Sequence, residues 1–221
     1  GLLVSWSAGA LATLTGDPPH PELPPLKPYG DQAAYQGGLN ATIALLGGLL
    51  ERVASGLGQH IDVSLQEWVA SILELTFEFF PYAGLVASRL GAKPIQPLCF
   101  MECRDGWIFI CCVEEHQWRT LVELMGNPEW AKEEIFKDRI TRGTNMDALF
   151  ALMGEWASTW KVQDLFREGQ KRRIPFAPVN RMGEIYADEH LKSRSFFVEM
   201  THPVAGRYRV PSVPYRSKVG S

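Results

Sequence analysis

The sequence lacks any run of about 18 or more apolar residues, which is the length that a membrane-spanning helix requires. Even its most apolar stretch, residues 41–50, is broken by a threonine and by paired glycines. It also lacks an excess of either charge, with 22 basic and 25 acidic residues and a formal net charge of -3. We therefore predict no membrane association and no nucleic acid as a partner.

Cysteine is scarce and is confined to one short part of the chain. The four cysteines are Cys99, Cys103, Cys111 and Cys112, in apolar sequence typical of strands. This distribution indicates reduced thiols in the core of a cytoplasmic protein rather than a disulfide framework. A zinc site that also used His116 is disfavoured, because adjacent cysteines would point to opposite faces of a strand. We predict a cytoplasmic location and no metal site.

Common catalytic and targeting motifs are missing as well. No P-loop, GxSxG or HExxH motif occurs, so phosphoryl transfer, serine hydrolysis and zinc proteolysis have no support. The chain starts with Gly rather than Met, and its apolar first residues follow no basic segment, unlike a signal peptide. We interpret it as a chain that begins partway through a longer protein.

Proline and glycine organise the N-terminal part of the chain. Residues 17–30, DPPHPELPPLKPYG, are rich in proline, which removes backbone donors and restricts the preceding residue, so we predict a loop. After Asp31, apolar residues recur at helical spacing until Gly56, which predicts a helix of about six turns. Glycines inside this helix are costly, so another helix or a ligand should approach it closely. These glycines are Gly37, Gly38, Gly47 and Gly48.

The rest of the chain alternates strand and helix patterns. Residues 59–63, QHIDV, predict a short strand, and Ser64 with Glu67 forms a capping box that opens a helix extending through Phe79. Residues 84–97 change in composition and indicate a domain boundary. Beyond them, two apolar strands flank an Arg-Asp-Gly turn, helical patterns follow, and a strand and a second hairpin come last.

We therefore predict an α/β fold in three parts. Residues 1–88 form a segment of a large domain, residues 89–185 form a small α+β domain, and residues 186–221 return to the large domain. The candidate catalytic residue belongs to the first part.

Asp31 stands directly after Gly30 at the start of the predicted helix and has two interpretations. As a helix cap, its carboxylate would accept a backbone N–H of the first turn. As a nucleophile, it would attack an activated carbonyl and form a covalent intermediate. The positive helix end would keep it ionised, and the glycine would let a bulky substrate approach. The two roles are compatible.

Residues 30–67, GDQAAYQGGLNATIALLGGLLERVASGLGQHIDVSLQE, resemble the signature stretch of the class III coenzyme A transferases. This group includes formyl-CoA and carnitine-CoA transferases and alpha-methylacyl-CoA racemases. The lead-in at residues 7–19 and the stretches at residues 103–129, 142–160 and 174–197 are also similar to that family. The resemblance implies a Rossmann-like large domain, a small domain and interlocked subunits, so a homodimer is expected of the full-length protein.

The resemblance also implies a mechanism. Asp31 matches the catalytic aspartate, which attacks the donor thioester, forms a mixed anhydride, is recaptured by the CoA thiolate and passes CoA to an acceptor acid. Gly30, Gln32 and Tyr35 would line the acyl end of this site. The substrates would be an acyl-CoA thioester and a carboxylic acid, and no cofactor would be bound permanently.

Two departures from the family pattern and two alternatives complete these expectations. Family members have an N-terminal CoA-binding region and a C-terminal tail, and we expect this chain to be a fragment that lacks both. The glycine-rich lid of formyl-CoA transferases is not recognisable between Tyr82 and Pro97, so we do not assign oxalate as the acceptor. One alternative is racemase-type proton transfer by the aspartate and a histidine. The other is a non-catalytic interaction module.

Overall fold

The computed structural model describes residues 7–15, 22–73, 75–89 and 96–217. The chain divides into two compact units, residues 1–93 and 94–221, and each is described by itself. The finer limits at residues 88 and 185 stay predictions. None of the helices in the described ranges is both long enough and apolar enough to cross a lipid bilayer.

The first unit consists of helices joined by irregular segments in its described part. A 3-10 turn at Leu11–Leu14 precedes helix α1, Gln32–Ser55, which is followed by α2, Leu65–Ser71, and α3, Leu75–Ala83. The predicted long helix is confirmed, because α1 starts after Asp31 and ends at Gly56. Gly56 has φ 74°, a left-handed conformation that glycine adopts at low cost and that commonly ends a helix.

Close packing explains two of the four glycines inside α1. A Cβ on Gly37 would lie 2.2 Å from Leu65 Cδ2, and a Cβ on Gly48 would lie 2.7 Å from Ile61 Cδ1. Because neither position has room for a methyl group, the following segment approaches the α1 backbone directly. The prediction of close approach is confirmed at these two glycines.

Two predictions about the first unit are wrong. Residues 59–63 are irregular rather than a strand, because no described strand pairs with them to form a ladder. Ser64 does accept a hydrogen bond from Glu67 N at 3.3 Å, as predicted, but the helix that it opens ends at Ser71. A separate helix then starts at Leu75, so the pattern through Phe79 belongs to two helices.

The second unit contains two antiparallel sheets and several helices. Its elements are β1 (Leu98–Cys103), β2 (Gly106–Cys111), α4 (Glu115–Leu124), α5 (Arg139–Thr144), α6 (Met146–Ala157), α7 (Val162–Lys171), β3 (Phe176–Pro178), α8 (Met182–Ala187), α9 (Glu189–Ser193), β4 (Phe197–His202) and β5 (Gly206–Pro211). One sheet has the order β1-β2-β3, and the other pairs β4 with β5. Both predicted hairpins are confirmed.

One face of the three-stranded sheet forms the core of the second unit. Burial alternates along β1, which pairs with β2 from Leu98 opposite Cys111 to Cys103 opposite Gly106. The inner face packs against α4, α6 and α7 through Leu121, Met153 and Leu165. Of the four cysteines, Cys99, Cys103 and Cys112 are buried, Cys111 is half-buried, and no two of them form a disulfide bond. The prediction of reduced core thiols is therefore confirmed.

A buried arginine joins several elements of the same unit. Arg142 on α5 donates from Nε to Gln96 O at 3.0 Å and from Nη1 to Phe136 O at 3.1 Å. Its Nη2 donates to Glu115 Oε1 on α4 at 2.7 Å, and the guanidinium lies 4.7 Å from the centre of the Trp118 ring. A buried charge needs such partners, so Arg142 has a structural role.

Candidate active site

Asp31 occupies the N-cap position of α1, but its carboxylate does not cap the helix. Its backbone carbonyl accepts hydrogen bonds from Ala34 N at 2.9 Å and Tyr35 N at 3.1 Å. Its side chain is exposed and accepts no hydrogen bond from the first turn. The interpretation of Asp31 as a capping side chain is therefore wrong, and the carboxylate remains available for another role.

Gly30 leaves open space beside the backbone of Asp31. Its φ of 72° lies in the left-handed region that glycine populates readily and that most side chains avoid. No described atom lies within 4 Å of the position that a Cβ would occupy. A ligand can therefore reach the backbone at this point, and a side chain here would both strain the turn and fill the space.

Gln32 and Tyr35 lie at the first turn of α1, near Asp31. Gln32 Nε2 donates to Tyr29 O at 3.3 Å, and this hydrogen bond spans Gly30 and Asp31. Tyr35 follows Asp31 by four positions, so it lies on the same side of the helix, and it is 72% exposed. The four residues that the sequence predicts for the site therefore lie within six consecutive positions at the start of α1.

The first turn of α1 carries the positive end of the helix dipole. Helix α1 has 24 residues, and the aligned peptide dipoles place a partial positive charge at its first turn. The first turn itself contains no other acidic residue that would compete for this charge. Within the described ranges, no three His, Cys, Asp or Glu side chains gather into a possible metal site.

The loop that leads to α1 is held by side chains that the sequence did not single out. Arg89 Nη2 donates to Leu23 O at 2.6 Å, and Nη1 donates to Pro24 O at 3.4 Å. Thr15 Oγ1 donates to Leu26 O at 2.9 Å. The one signal in the sequence is the proline content of the loop, because prolines supply carbonyl acceptors without backbone donors.

The second unit offers weaker candidates for chemistry. Burial raises the pKa of the Cys112 thiol to about 12 and that of the Cys103 thiol to about 11, so both are poor nucleophiles at neutral pH. A small open pocket is lined in part by Trp107, Asp105 and Glu184. Both carboxylates there already accept backbone hydrogen bonds, from Val162 N and Arg181 N respectively.

A comparison with known protein families shows to which family the chain belongs. Residues 3–219 match the family described as CoA-transferase family III. The chain belongs to this family. The resemblance inferred from residues 30–67 is therefore confirmed, and it extends over nearly the whole chain.

Several curated CoA-transferases of this family are similar in sequence. The chain is 28% identical to the succinyl-CoA–L-malate CoA-transferase alpha subunit of Chloroflexus aurantiacus, over 95% of this chain and 49% of that protein. It is 25% identical to the formyl-CoA:oxalate CoA-transferase of Shigella sonnei, over 96% of this chain and 56% of that protein. The chain thus spans about half the length of the curated relatives that it matches.

Solved structures show the same fold. A CAIB/BAIF family protein from Brucella suis superposes with a TM-score of 0.73 at 28% identity, over 97% of this chain and 55% of that chain. Rv3272 from Mycobacterium tuberculosis gives a TM-score of 0.79 at 18% identity, over 98% of this chain and 57% of that chain. The family III chain therefore has a mixed α/β fold of the CAIB/BAIF type.

Proposed function

We propose that the protein transfers coenzyme A between carboxylic acids and that Asp31 is the covalent nucleophile. The observation that carries the proposal is the exposed Asp31 carboxylate, which lies at the positive end of α1 and is not used to cap it. The named relatives are CoA-transferases, which supports this reaction class. A homodimer, a Rossmann-like large domain and a cytoplasmic location belong to the same proposal for the full natural protein.

The first half of the reaction moves CoA from the donor to the enzyme. A carboxylate oxygen of Asp31 attacks the thioester carbonyl, the carbon–sulfur bond breaks, and the CoA thiolate leaves behind a mixed anhydride. The thiolate then attacks the side-chain carbonyl carbon of Asp31. The donor acid leaves as a carboxylate, and an aspartyl-CoA thioester remains on the enzyme.

The second half repeats these steps with the acceptor. The acceptor carboxylate attacks the aspartyl thioester and forms a new anhydride with release of the CoA thiolate. That thiolate attacks the acceptor's carbonyl carbon, which yields the new acyl-CoA and restores the Asp31 carboxylate. No net proton transfer is needed, so a free carboxylate suffices where many acyl transfers require a general base.

The residues around Asp31 suit the acyl end of the substrate. We propose that the open space at Gly30 admits the thioester carbonyl, and that Gln32 and Tyr35 line the approach. Relatives named for succinyl-CoA, malate and oxalate indicate small dicarboxylic acids as the first compounds to test.

Trapping the aspartyl thioester tests this proposal. The full natural protein is incubated with succinyl-CoA, formyl-CoA and other acyl-CoA donors, reduced with borohydride and analysed by peptide mass spectrometry. We expect a mass loss at Asp31, because reduction converts an aspartyl thioester into the alcohol, homoserine. Asp31→Asn should abolish the loss and lower kcat by more than about a thousandfold.

Asp62→Asn provides the matched control, because Asp62 is another exposed aspartate of the same unit. It should retain both the labelling of Asp31 and the activity. An unmodified Asp31 with every donor, together with exchange of the α-proton of the acyl group into solvent, would contradict the transferase mechanism and support the racemase alternative.

A further inference from the structure

We infer that Arg89 and Thr15 are positioning residues, which fix Asp31 by holding the carbonyl groups of the loop that precedes it. This inference rests on the proposed function, because the placement of Asp31 affects turnover only if Asp31 is the nucleophile. The loop consists of residues 22–30, and it is called the nucleophile loop below.

The nucleophile loop cannot hold its own shape through backbone hydrogen bonds. Pro24, Pro25 and Pro28 have no N–H, so the loop cannot form a ladder or a helical turn. Its apolar side chains also provide little anchoring, since Leu23 is 47% exposed and Leu26 is 64% exposed. The carbonyl groups of the loop are therefore points at which side chains of the rest of the unit can hold it.

Arg89 holds the first part of the loop. Its planar guanidinium donates to two consecutive carbonyls, those of Leu23 and Pro24, across more than 60 residues of sequence. Hydrogen bonds from a charged donor are stronger than neutral ones, and the fixed fork of arginine matches paired acceptors. The backbone N of Arg89 donates to Thr13 O at 3.1 Å, which ties the clamp to the 3-10 turn at Leu11–Leu14.

Thr15 holds the middle of the loop from the same turn. Its Oγ1 lies 2.9 Å from Leu26 O in the loop and 3.0 Å from Ala12 O in that turn, and these two carbonyls share its single donated proton. The Gln32 amide then reaches Tyr29 O from the other side. Side-chain donors thus hold the loop at intervals from its start to the residue before Gly30.

This arrangement matters because Asp31 has no capping bond of its own. Its carboxylate is placed by the backbone that carries it, and that backbone continues directly from the nucleophile loop. Attack on a carbonyl depends steeply on distance and direction, and a displacement of about 1 Å can cost about a hundredfold in rate. Release of the loop should therefore slow the formation of the anhydride without preventing the binding of acyl-CoA.

The test compares three variants with wild type in the full natural protein. Arg89→Met removes the guanidinium, Arg89→Lys keeps the charge but loses the fork, and Thr15→Val removes the hydroxyl with little change in volume. Arg119→Met is the matched control, because Arg119 is an exposed arginine of the other unit. Melting temperatures first identify the variants that remain folded.

Two readouts then separate holding the loop from positioning the carboxylate. The first is the initial rate of chymotryptic cleavage after Leu26 and Tyr29, which should rise about tenfold in Arg89→Met as the loop loosens. The second is steady-state and single-turnover kinetics, in which kcat and the rate of Asp31 labelling should fall about ten- to a hundredfold. KM for acyl-CoA should change less than about twofold, and Arg89→Lys should recover only part of the rate.

Each failure has a distinct signature. Unchanged cleavage in folded Arg89→Met and Thr15→Val would overturn the clamp itself. Faster cleavage with unchanged kcat and unchanged labelling would overturn its positioning role. Absence of Asp31 labelling in the wild type would overturn the proposed function and the positioning role with it, while the cleavage assay would still measure whether Arg89 holds the loop.

Discussion

At the scale of single residues, the thiols of the second unit show how burial controls reactivity. Burial raises the pKa of Cys112 to about 12, and the nearby Cys111 and Cys99 add to this effect. Burial, and then the negative charge of Asp105, raise the pKa of Cys103 to about 11. Both values lie above the ordinary thiol pKa of about 9, because a thiolate is poorly solvated in an apolar core.

These shifts predict a loss of stability at alkaline pH. Between the ordinary pKa and the folded pKa, the unfolded chain releases thiol protons that the folded chain keeps. The free energy of unfolding should therefore be unaffected by these thiols below about pH 8 and should fall as pH rises from about 9 towards 11 or 12. Urea denaturation at a series of pH values measures this slope, and Cys112→Ala should make it shallower.

Alkylation gives an independent check of the same prediction. With iodoacetamide at about pH 9, folded protein should leave Cys103 and Cys112 unmodified, whereas urea-unfolded protein should react at all four cysteines. Peptide mass spectrometry assigns each site. Equal rates of modification in folded and unfolded protein would show that burial does not protect these thiols.

At the scale of secondary-structure elements, Arg142 on α5 predicts a large effect of one side chain. Arg142→Met should lower the free energy of unfolding of the second unit by about 3 kcal/mol, because it removes the two hydrogen bonds that the guanidinium donates to the buried carbonyls of Gln96 and Phe136. Glu115→Gln should cost only about 1 kcal/mol, since it keeps an acceptor and its side chain is 45% exposed. Urea denaturation measures both.

Arg139 supplies the control for this experiment. It is an exposed neighbour on the same helix, and its contact with Glu115 uses the backbone N–H rather than the guanidinium. Arg139→Met should therefore change stability by less than about 0.5 kcal/mol. A similar loss in Arg139→Met and Arg142→Met would mean that positive charge on α5, and not the buried hydrogen bonds, stabilises the unit.

The elements also show which features a sequence can predict. The hairpin of β1 and β2 was predictable because its turn and its alternating apolar residues are local signals. Residues 59–63 have the composition of a strand, but a strand must also pair with another strand. In the described part of the chain no strand pairs with them, and their own sequence does not reveal this. Predictions therefore succeeded where the decisive contacts lie close in sequence.

The same distinction applies to the candidate site. Asp31, Gly30, Gln32 and Tyr35 could be proposed from the sequence, because they share one short signature at the start of one helix. Arg89 and Thr15 were not predicted, because they contact the nucleophile loop from segments with no periodic pattern. Arg89 is also more than 60 residues away in sequence from the loop residues that it contacts. The missing capping bond of Asp31 was also beyond the sequence, since aspartate commonly caps helices and its rotamer is set by the folded structure.

At the scale of the whole chain, the two units differ in how completely they bury apolar side chains. The second unit has a closed core of strand and helix residues. In the first unit, α1 carries a stripe of exposed apolar residues at helical spacing, Leu39, Ile43, Leu46, Leu50 and Val53, of which Val53 is 86% exposed. Contiguous exposed apolar surface of this kind is unusual in a soluble monomeric unit.

This difference predicts that the two units behave differently when they are expressed apart. Residues 94–221 should unfold cooperatively and bind less of the dye ANS than residues 1–93, because a cluster of strand and helix side chains forms a buried core there, even though others such as Met182 and Val204 are exposed. Residues 1–93 should bind ANS strongly and self-associate, since burial of the α1 stripe lowers the free energy by about 25 cal/mol per Å². Urea denaturation, dye fluorescence and sedimentation measure these properties.

Replacement of Leu46 and Leu50 by Glu tests whether the α1 stripe causes the self-association. Both side chains are more than half exposed, so their replacement should disturb the packing of the unit little. The double variant of residues 1–93 should bind less ANS and remain monomeric, while helicity measured by circular dichroism should stay within about 10% of the unmodified segment, since both residues favour helices similarly. If self-association persists, apolar surface elsewhere in the unit, such as that of Phe77 and Phe80 on α3, is responsible instead.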